Sequence, residues 1–347
     1  MTNGGGDGYG MELNKIHHMD FLKNTLPDKC AKLMICDPPY YRVKGEFDFI
    51  WKTFADYLAD VEKWAVECKR LLADNGTLFW WGNSKKIAYS QIILDKHFNL
   101  ENSIVWRKTD SMQYQYYSPD LARTFNTHNE RLLMYSNEII RTGLEEIKLD
   151  VNNFKGLREY FKGLQAYIPH TKIEITNRIG QKADHCFRHG STQWDLPTKE
   201  TYAELITAFK IDSWTGYKEY ETLRQEYETL RQEYETLRRF FRNDAKLEEV
   251  LEFSQNGHNT KNYDHETQKS ETLTRSLILT CSRKGDLVVV TFSGSGTECA
   301  MSAKEGRPFI GFDVKKKYVD MGNERCDIIL SQPELSLTAG VQEWVEQ

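Results

Sequence analysis

Four consecutive residues, Asp37, Pro38, Pro39 and Tyr40, place a carboxylate, a backbone carbonyl and an aromatic ring on a segment stiffened by two prolines. The Asp37 carboxylate and the Pro38 carbonyl can both accept hydrogen bonds from an exocyclic NH2, and the Tyr40 ring offers a face to a planar base. An aniline-like amine is a poor nucleophile because its lone pair is delocalised into the ring. Two acceptors favour rehybridisation and aim the lone pair at an electrophile, so the chemistry is positioning plus electrostatics. Taken alone, such a tetrapeptide is an ordinary turn more often than a site.

A second stretch, Phe292-Ser293-Gly294-Ser295-Gly296-Thr297, reads as a strand running through Gly-x-Gly into a helix. That arrangement lets backbone approach a ligand at the carboxyl end of a sheet. By itself it is weak, since a tight strand-to-helix turn looks the same. Asp313 ends the next apolar run about twenty residues later, where an acid would hold ribose hydroxyls. Together the two point to an adenosine-containing cofactor and no further.

The elements that must position these residues follow from hydrophobic patterning. Residues 33–36 are a short apolar run ending at the Pro-Pro turn, as in a buried parallel strand. Apolar spacing from Trp51 to Leu72 predicts a helix, which Asp74-Asn75-Gly76 should stop before a strand at Thr77–Trp81. Further strands are expected at Ser103–Trp106, Leu132–Tyr135, Leu287–Phe292 and Pro308–Phe312, with helical character over Glu298–Lys304. The fold class is therefore α/β, with one mostly parallel sheet built from both ends of the chain. Residues 1–10, with three consecutive glycines, read as a flexible leader, 11–136 and 263–330 as the two halves of the sheet domain, and 331–347 as a tail. Between the halves, 137–262 is polar and weak in strand signals, an inserted, largely helical region. It carries a seven-residue tandem repeat starting at Tyr220 and Tyr227, with a partial third copy from Tyr234. Tyr220, Leu223, Tyr227, Leu230, Tyr234 and Leu237 form one stripe, which predicts a helix over about 217–241.

Composition sets the bounds. The 347 residues are 39% hydrophobic and 28% charged, as in globular proteins of about two domains. No apolar run is long enough for a membrane span, and the start lacks a signal-peptide pattern. Seven scattered cysteines and nine histidines show no metal-ligand spacing, so no metal is expected, and dispersed thiols fit a reducing cytoplasm. A net charge of −5 does not favour nucleic acid, although a local basic face can coexist with it.

Eight motifs fall in a definite order: Met19-Asp20-Phe-Leu, Asp37-Pro-Pro-Tyr40, Leu72 to Phe79, Ser103-Ile-Val-Trp106, His128-Asn-Glu130, His265-Glu-Thr-Gln-Lys269, Phe292 to Thr297, and Gly306 to Gly311. In this order the chain resembles the permuted β group of DNA amino-methyltransferases, over about residues 12–136 and 262–328. The resemblance implies a Rossmann-like sheet and methyl transfer from S-adenosyl-L-methionine to an amino nitrogen of a base in double-stranded DNA. It implies that Asp37 and Pro38 bind the target amine, with Pro39 shaping the loop and Tyr40 stacking on the base. It places Phe292, Ser293, Gly294, Gly296 and Thr297 against the cofactor, Asp313 on its ribose, Lys269 near its methionine end and Asp20 near its adenine. Aspartate at the first motif position favours adenine N6, with cytosine N4 as the alternative. The chain departs from the family at Val290 and Thr291, where an acid usually precedes the aromatic residue, so one polar cofactor contact is missing. It also has Glu266 and Ser270 where prolines flank Thr-Gln-Lys. A catalytically weakened DNA-binding relative is the reading those departures would support. RNA or a protein side chain is a third class of substrate, which the permuted order and the large insertion disfavour.

Attack on a base amine requires taking the base out of the stack. Arg42 and Lys44, in the loop after the motif, are candidates for phosphate contact, the alternative being a solvated loop. Target recognition falls to the insertion, where Arg178, Lys182 and Arg188 stand out, alongside Lys155, Arg158, Lys162 and Lys172. The repeat helix has three readings: packing on its own domain, a seam for a homodimer or another subunit, and a slippage-prone spacer. In the last, each added unit would lengthen the helix by about 10.5 Å and change the DNA sequence methylated.

Overall fold

Period-two alternation divides the side chains of strand 31–36 between two buried faces. Met34 and Cys36 enter one apolar cluster and Leu33 and Ile35 the other, so this strand is buried on both sides as parallel strands are. The computed structural model describes residues 8–43, 46–110, 128–137, 154–191, 193–255 and 268–331. Its strands are β1 (Lys15–His18), β2 (Ala31–Cys36), β3 (Leu72–Gly82), β4 (Asn99–Lys108), β5 (Asn129–Ser136), β6 (Val250–Phe253), β7 (Val288–Val290) and β8 (Phe309–Asp313). They form one sheet in the order β1-β8-β7-β2-β3-β5-β4-β6. All neighbouring pairs are parallel except those made by β5, which runs against β3 and β4. The mostly parallel α/β sheet is thus drawn from both ends of the chain.

The helices are α1 (Phe54–Leu71), α2 (Ile87–Leu94), α3 (Lys155–Tyr167), α4 (Lys172–Ile179), α5 (Lys199–Phe209), α6 (Tyr220–Leu237), α7 (Glu271–Cys281), α8 (Thr297–Lys304) and α9 (Lys316–Leu330). Helix α1 packs Val61, Trp64, Ala65 and Cys68 on one face of the sheet, whereas α7 and α8 pack Leu273, Leu277, Ile278, Cys299 and Ala300 on the other. The start of α1 is fixed by a capping box, in which the Thr53 hydroxyl accepts the Asp56 N–H (3.1 Å) and the Asp56 carboxylate accepts the Thr53 N–H (3.0 Å). Its end differs from expectation. The helix stops at Leu72, and Asp74-Asn75-Gly76 lies within β3, where pairing with β2 jumps from Ala31–Leu72 to Leu33–Thr77. The turn-forming triplet makes a bulge in a strand rather than a helix stop.

The chain divides into a sheet unit, residues 1–139 with 239–347, and a second unit, residues 140–238. Strand β6 lies inside the 137–262 stretch read as inserted, yet it pairs with β4. The described part of the second unit is helical, with its own core of Leu157, Phe161, Leu164, Ile175, Phe187 and Leu205. The repeat stripe of α6 is largely used within that core. Leu223 is fully buried, the Tyr227 ring stacks on Phe154 at 5.1 Å and Tyr220 lies 5.8 Å from Tyr202, while Leu237 is 72% exposed. No helix among the described residues is long and apolar enough to cross a membrane, and no group of metal-ligating side chains occurs among them.

Candidate active site

The sheet order turns widely separated segments into one row along the carboxyl edge. Strand β2 connects through α1 to β3 on one side, and β7 through α8 to β8 on the other. The boundary between β2 and β7 is therefore a topological switch point, the place where open α/β sheets take their ligands. Ile35 pairs with Val290, which puts Asp37 and Phe292, each two residues on, beside one another. His18 pairs with Asp313 on the far side, so Asp20 and Asp313 sit at the same edge. Because β5 is antiparallel, its first residues, Asn129 and Glu130, reach this edge too, next to Lys108 at the end of β4.

At the β2 end, Asp37 is held from two sides. Its Oδ1 accepts the Tyr40 hydroxyl at 2.7 Å, and its Oδ2 lies 2.8 Å from Lys269 Nζ. Lys269 is 3% exposed and also reaches Glu130 Oε2 at 2.8 Å, while Lys108 Nζ sits 2.6 Å from Glu130 Oε1. The result is a chain of alternating charge: Asp37, Lys269, Glu130, Lys108. Each ammonium also sits over an indole ring, Lys269 at 4.9 Å from Trp81 and Lys108 at 4.9 Å from Trp106. Burial pushes the Asp37 carboxyl above its ordinary range, and the Lys269 ammonium partly offsets this. Burial also acts upward on Glu130, but its two lysines outweigh it and hold the carboxyl down at about 2. Against burial, the same carboxylates raise Lys269, so it stays charged.

The loop itself is fastened by Asp48, which is 2% exposed. Its Oδ1 accepts the Tyr40 N–H at 2.5 Å, and its carbonyl accepts the Arg42 N–H at 2.7 Å. Pro38 is buried, and its carbonyl takes no hydrogen bond from the described residues.

At the β7 end, Gly294 and Gly296 adopt φ of +46° and +72°, which side chains rarely tolerate. A Cβ on Gly296 would lie 2.8 Å from the Gly322 Cα, so the turn is pressed against α9. Asp313 secures the turn: its Oδ2 accepts the Gly294 N–H at 2.9 Å and its Oδ1 the Lys315 N–H at 2.8 Å. Burial raises its carboxyl above the ordinary value. Phe292 meets Trp64 edge-on at 5.0 Å and Phe21 at 6.2 Å, and Asp20 caps the short helix beginning at Phe21 through the Leu22 N–H. Ser293 and Thr297 are buried, with hydroxyls turned inward to Cys299 and to Arg325 and Ser295 respectively. Of the residues expected at the cofactor, these two have side chains engaged within the protein.

The structure thus gathers Asp20, Asp37, Tyr40, Lys269, Phe292, Gly294, Gly296 and Asp313 at one edge. Lys269, expected near a methionine end, bonds the carboxylate expected to hold the target amine. Lys44 lies outside the described residues. Arg42 donates to the Lys52 carbonyl at 3.3 Å. In the second unit, Lys182 pairs with Glu204 at 2.6 Å, Arg188 with Asp184, and Arg178 lies over the Phe209 ring. Arg158 is buried and bonds the His189 and Ser191 carbonyls, so it holds that unit's own fold. Sequence reasoning gave no role to Lys108, Glu130, Asp48 or Glu298. Glu130 belongs to the His128-Asn-Glu130 motif, but nothing local marks the others.

The family model described as DNA methylase, for N6 and N4 methylases, matches residues 31–324. The chain belongs to the DNA methylase family. Among curated relatives, type II methyltransferase M1.MboII of Moraxella bovis is 24% identical, over 94% of this chain and all of the relative. The DNA adenine methyltransferase YhdJ of Escherichia coli (strain K12) is 23% identical, over 92% of this chain and 85% of that one. Among solved structures, PvuII DNA methyltransferase (cytosine-N4-specific) superposes with a TM-score of 0.50 at 12% identity, covering 93% of this methylase and 95% of the other chain. That likeness is one of fold.

Proposed function

We propose that this methylase transfers a methyl group from S-adenosyl-L-methionine to the N6 amine of an adenine flipped out of double-stranded DNA. The observation that carries the proposal is the register of β2 against β7, which sets an N–H-accepting carboxylate, Asp37, beside the glycine turn. The residues at this edge fit such a cofactor. Gly294, half-buried in its positive-φ turn, leaves room for close approach, Phe292 gives an apolar face, and Asp20 and Asp313 give acceptors for base and ribose. When bound, the cofactor supplies an electrophilic methyl group. Asp37 and the Pro38 carbonyl accept the two amine hydrogens and direct the nitrogen lone pair, and Tyr40 packs on the base. Lys269 keeps Asp37 ionised despite its burial, and Asp37 is placed to receive the proton that the methylated amine sheds. Adenine is favoured over cytosine by the aspartate at the head of the loop and by the name of the Escherichia coli relative. Target recognition is assigned to the helical unit, and phosphate contact to Arg42, Lys44, Arg178, Lys182 and Arg188. Of these, Lys182 and Arg188 must exchange an internal acidic partner for phosphate. A homodimer or second subunit docking on the repeat stripe of α6 would find, among its described side chains, chiefly the Leu237 end exposed.

Mass analysis of nucleosides from DNA incubated with the protein and cofactor is the test. N6-methyladenine that disappears with Asp37→Ala is the expected result. N4-methylcytosine in its place would move the target base, and no methylated base with the native chain would refute the reading.

A further inference from the structure

Glu298 stands at the first turn of α8, directly after the glycine turn, and is 5% exposed. Among the described residues its carboxylate has no side-chain hydrogen bond or ion pair, and takes only its own backbone N–H. A buried carboxylate without a cationic partner is costly and rare. Three charged groups from other elements act on it: Asp37 at the end of β2, Lys269 ahead of α7, and Arg325 on α9. Neither cation is free to neutralise it. Lys269 is shared by Asp37 and Glu130, and Arg325 is bound to Glu271, the Ser295 carbonyl and the Thr297 hydroxyl. Burial and the nearby Asp37 charge raise the Glu298 carboxyl to about 7. Meanwhile the strand position where this family usually carries an acid holds the buried Val290 and Thr291.

We propose that Glu298 is a cofactor-binding residue that receives the α-ammonium of the methionyl end of the methyl donor, in place of the acid absent at 290–291. The inference rests on the cofactor reading given above. An ammonium is the partner this carboxylate lacks, and it would arrive at the carboxyl edge of the sheet, where the glycine turn lies beside Asp37. Binding then draws the carboxyl into its ionised form. A Glu298 that was protonated gives its proton to solvent as the ion pair forms, so affinity weakens as pH falls below about 7.

The test is calorimetric binding of S-adenosylhomocysteine and of 5′-methylthioadenosine, which lacks the amino-acid end, to the full chain and to Glu298→Gln. Runs in buffers of different ionisation enthalpy count released protons. The homocysteine compound carries the ammonium but no sulfonium, so it isolates the proposed contact. Native protein should release a fraction of a proton with S-adenosylhomocysteine near pH 6.5 and none with 5′-methylthioadenosine. Glu298→Gln should bind S-adenosylhomocysteine about 10- to 100-fold more weakly at pH 8, the range for a charge-assisted hydrogen bond, with no proton release. Its affinity for 5′-methylthioadenosine should stay unchanged, which also shows the variant is folded. Equal affinity of the two proteins for S-adenosylhomocysteine, or proton release that persists in the variant, would overturn the assignment and leave the cofactor reading standing. Absence of proton release by the native protein would do the same even if the variant fails to fold. Native protein that binds neither compound nor S-adenosylmethionine would overturn both.

Discussion

The ends of β2 and α8 handle buried carboxylates in opposite ways. At β2, Asp37 and Glu130 share Lys269, and Lys108 closes the chain, so every charge has a partner within 2.8 Å. At α8, Glu298 is more deeply placed, 5% exposed against 20% for the Asp37 side chain, and lacks a cation of its own among the described residues. Burial raises the pKa of all three carboxyls. Paired lysines overturn that effect at Glu130, offset part of it at Asp37, and leave it standing at Glu298. The difference separates an acceptor kept charged before any ligand arrives from one that a cationic ligand would charge.

The largest effect expected on this contrast comes from Lys269→Met, which makes the β2 end resemble the α8 end. Removing one partner of a buried charge cluster leaves Asp37 and Glu130 facing each other, at a cost of about 3–5 kcal/mol. Urea denaturation at pH 8 should show that loss, and the acid limb of the pH–rate profile should move upward as Asp37 becomes harder to ionise. An unchanged limb would mean that Lys269 does not set the Asp37 charge.

Next in size are the pH dependences of stability, which should slope oppositely. Glu130 has a folded pKa of about 2 against an ordinary 4.5, so its contribution is present above 4.5 and lost as pH falls towards 2. Glu298 has a folded pKa of about 7, so the fold keeps a proton that the unfolded chain has released, and stability declines from pH 4.5 to 7. Each term is about 3 kcal/mol at its limit. Glu298→Gln should therefore be more stable than the native chain at pH 8 and equal to it near pH 4, whereas Glu130→Gln should be less stable at pH 8. Thermal melts at the two pH values read this directly, and parallel shifts in the two variants would remove the contrast.

The last contrast concerns Gly296→Ala, where forcing a side chain into the left-handed region costs about 1–3 kcal/mol by itself. The new Cβ would also meet Gly322 at 2.8 Å, moving the start of α8 and with it Glu298. Weaker binding of S-adenosylhomocysteine with Asp37-side stability intact is the expected signature. Loss of both would show that the two ends are not separable.

Much of this arrangement was legible before any coordinates. The apolar run into Pro-Pro, the Gly-x-Gly turn after a β-branched strand and the repeat helix are signals confined to a few residues, so local pattern carries them. Strand β6 was missed because four residues inside a polar region give no periodicity. Asp74-Asn75-Gly76 misled because the same triplet suits a helix stop or a strand bulge, and pairing with β2 decides between them. The basic residues of the second unit showed type but not employment, since Arg158, Lys182 and Arg188 turn out to have internal partners.

What the sequence determined by itself is the set of chemical parts: an acceptor loop, a cofactor-type turn, an acid at a strand end, and their order along the chain. Tertiary structure decided which charges meet. The Glu130–Lys269 contact spans 139 residues and the Lys269–Tyr40 contact 229, and only a sheet that alternates segments from both ends of the chain can close them. Protonation states follow from those meetings and from burial, and neither is a property of a residue read alone. For that reason Asp37 could be named from sequence as an acceptor, while its charged partner, and the lack of one at Glu298, could not.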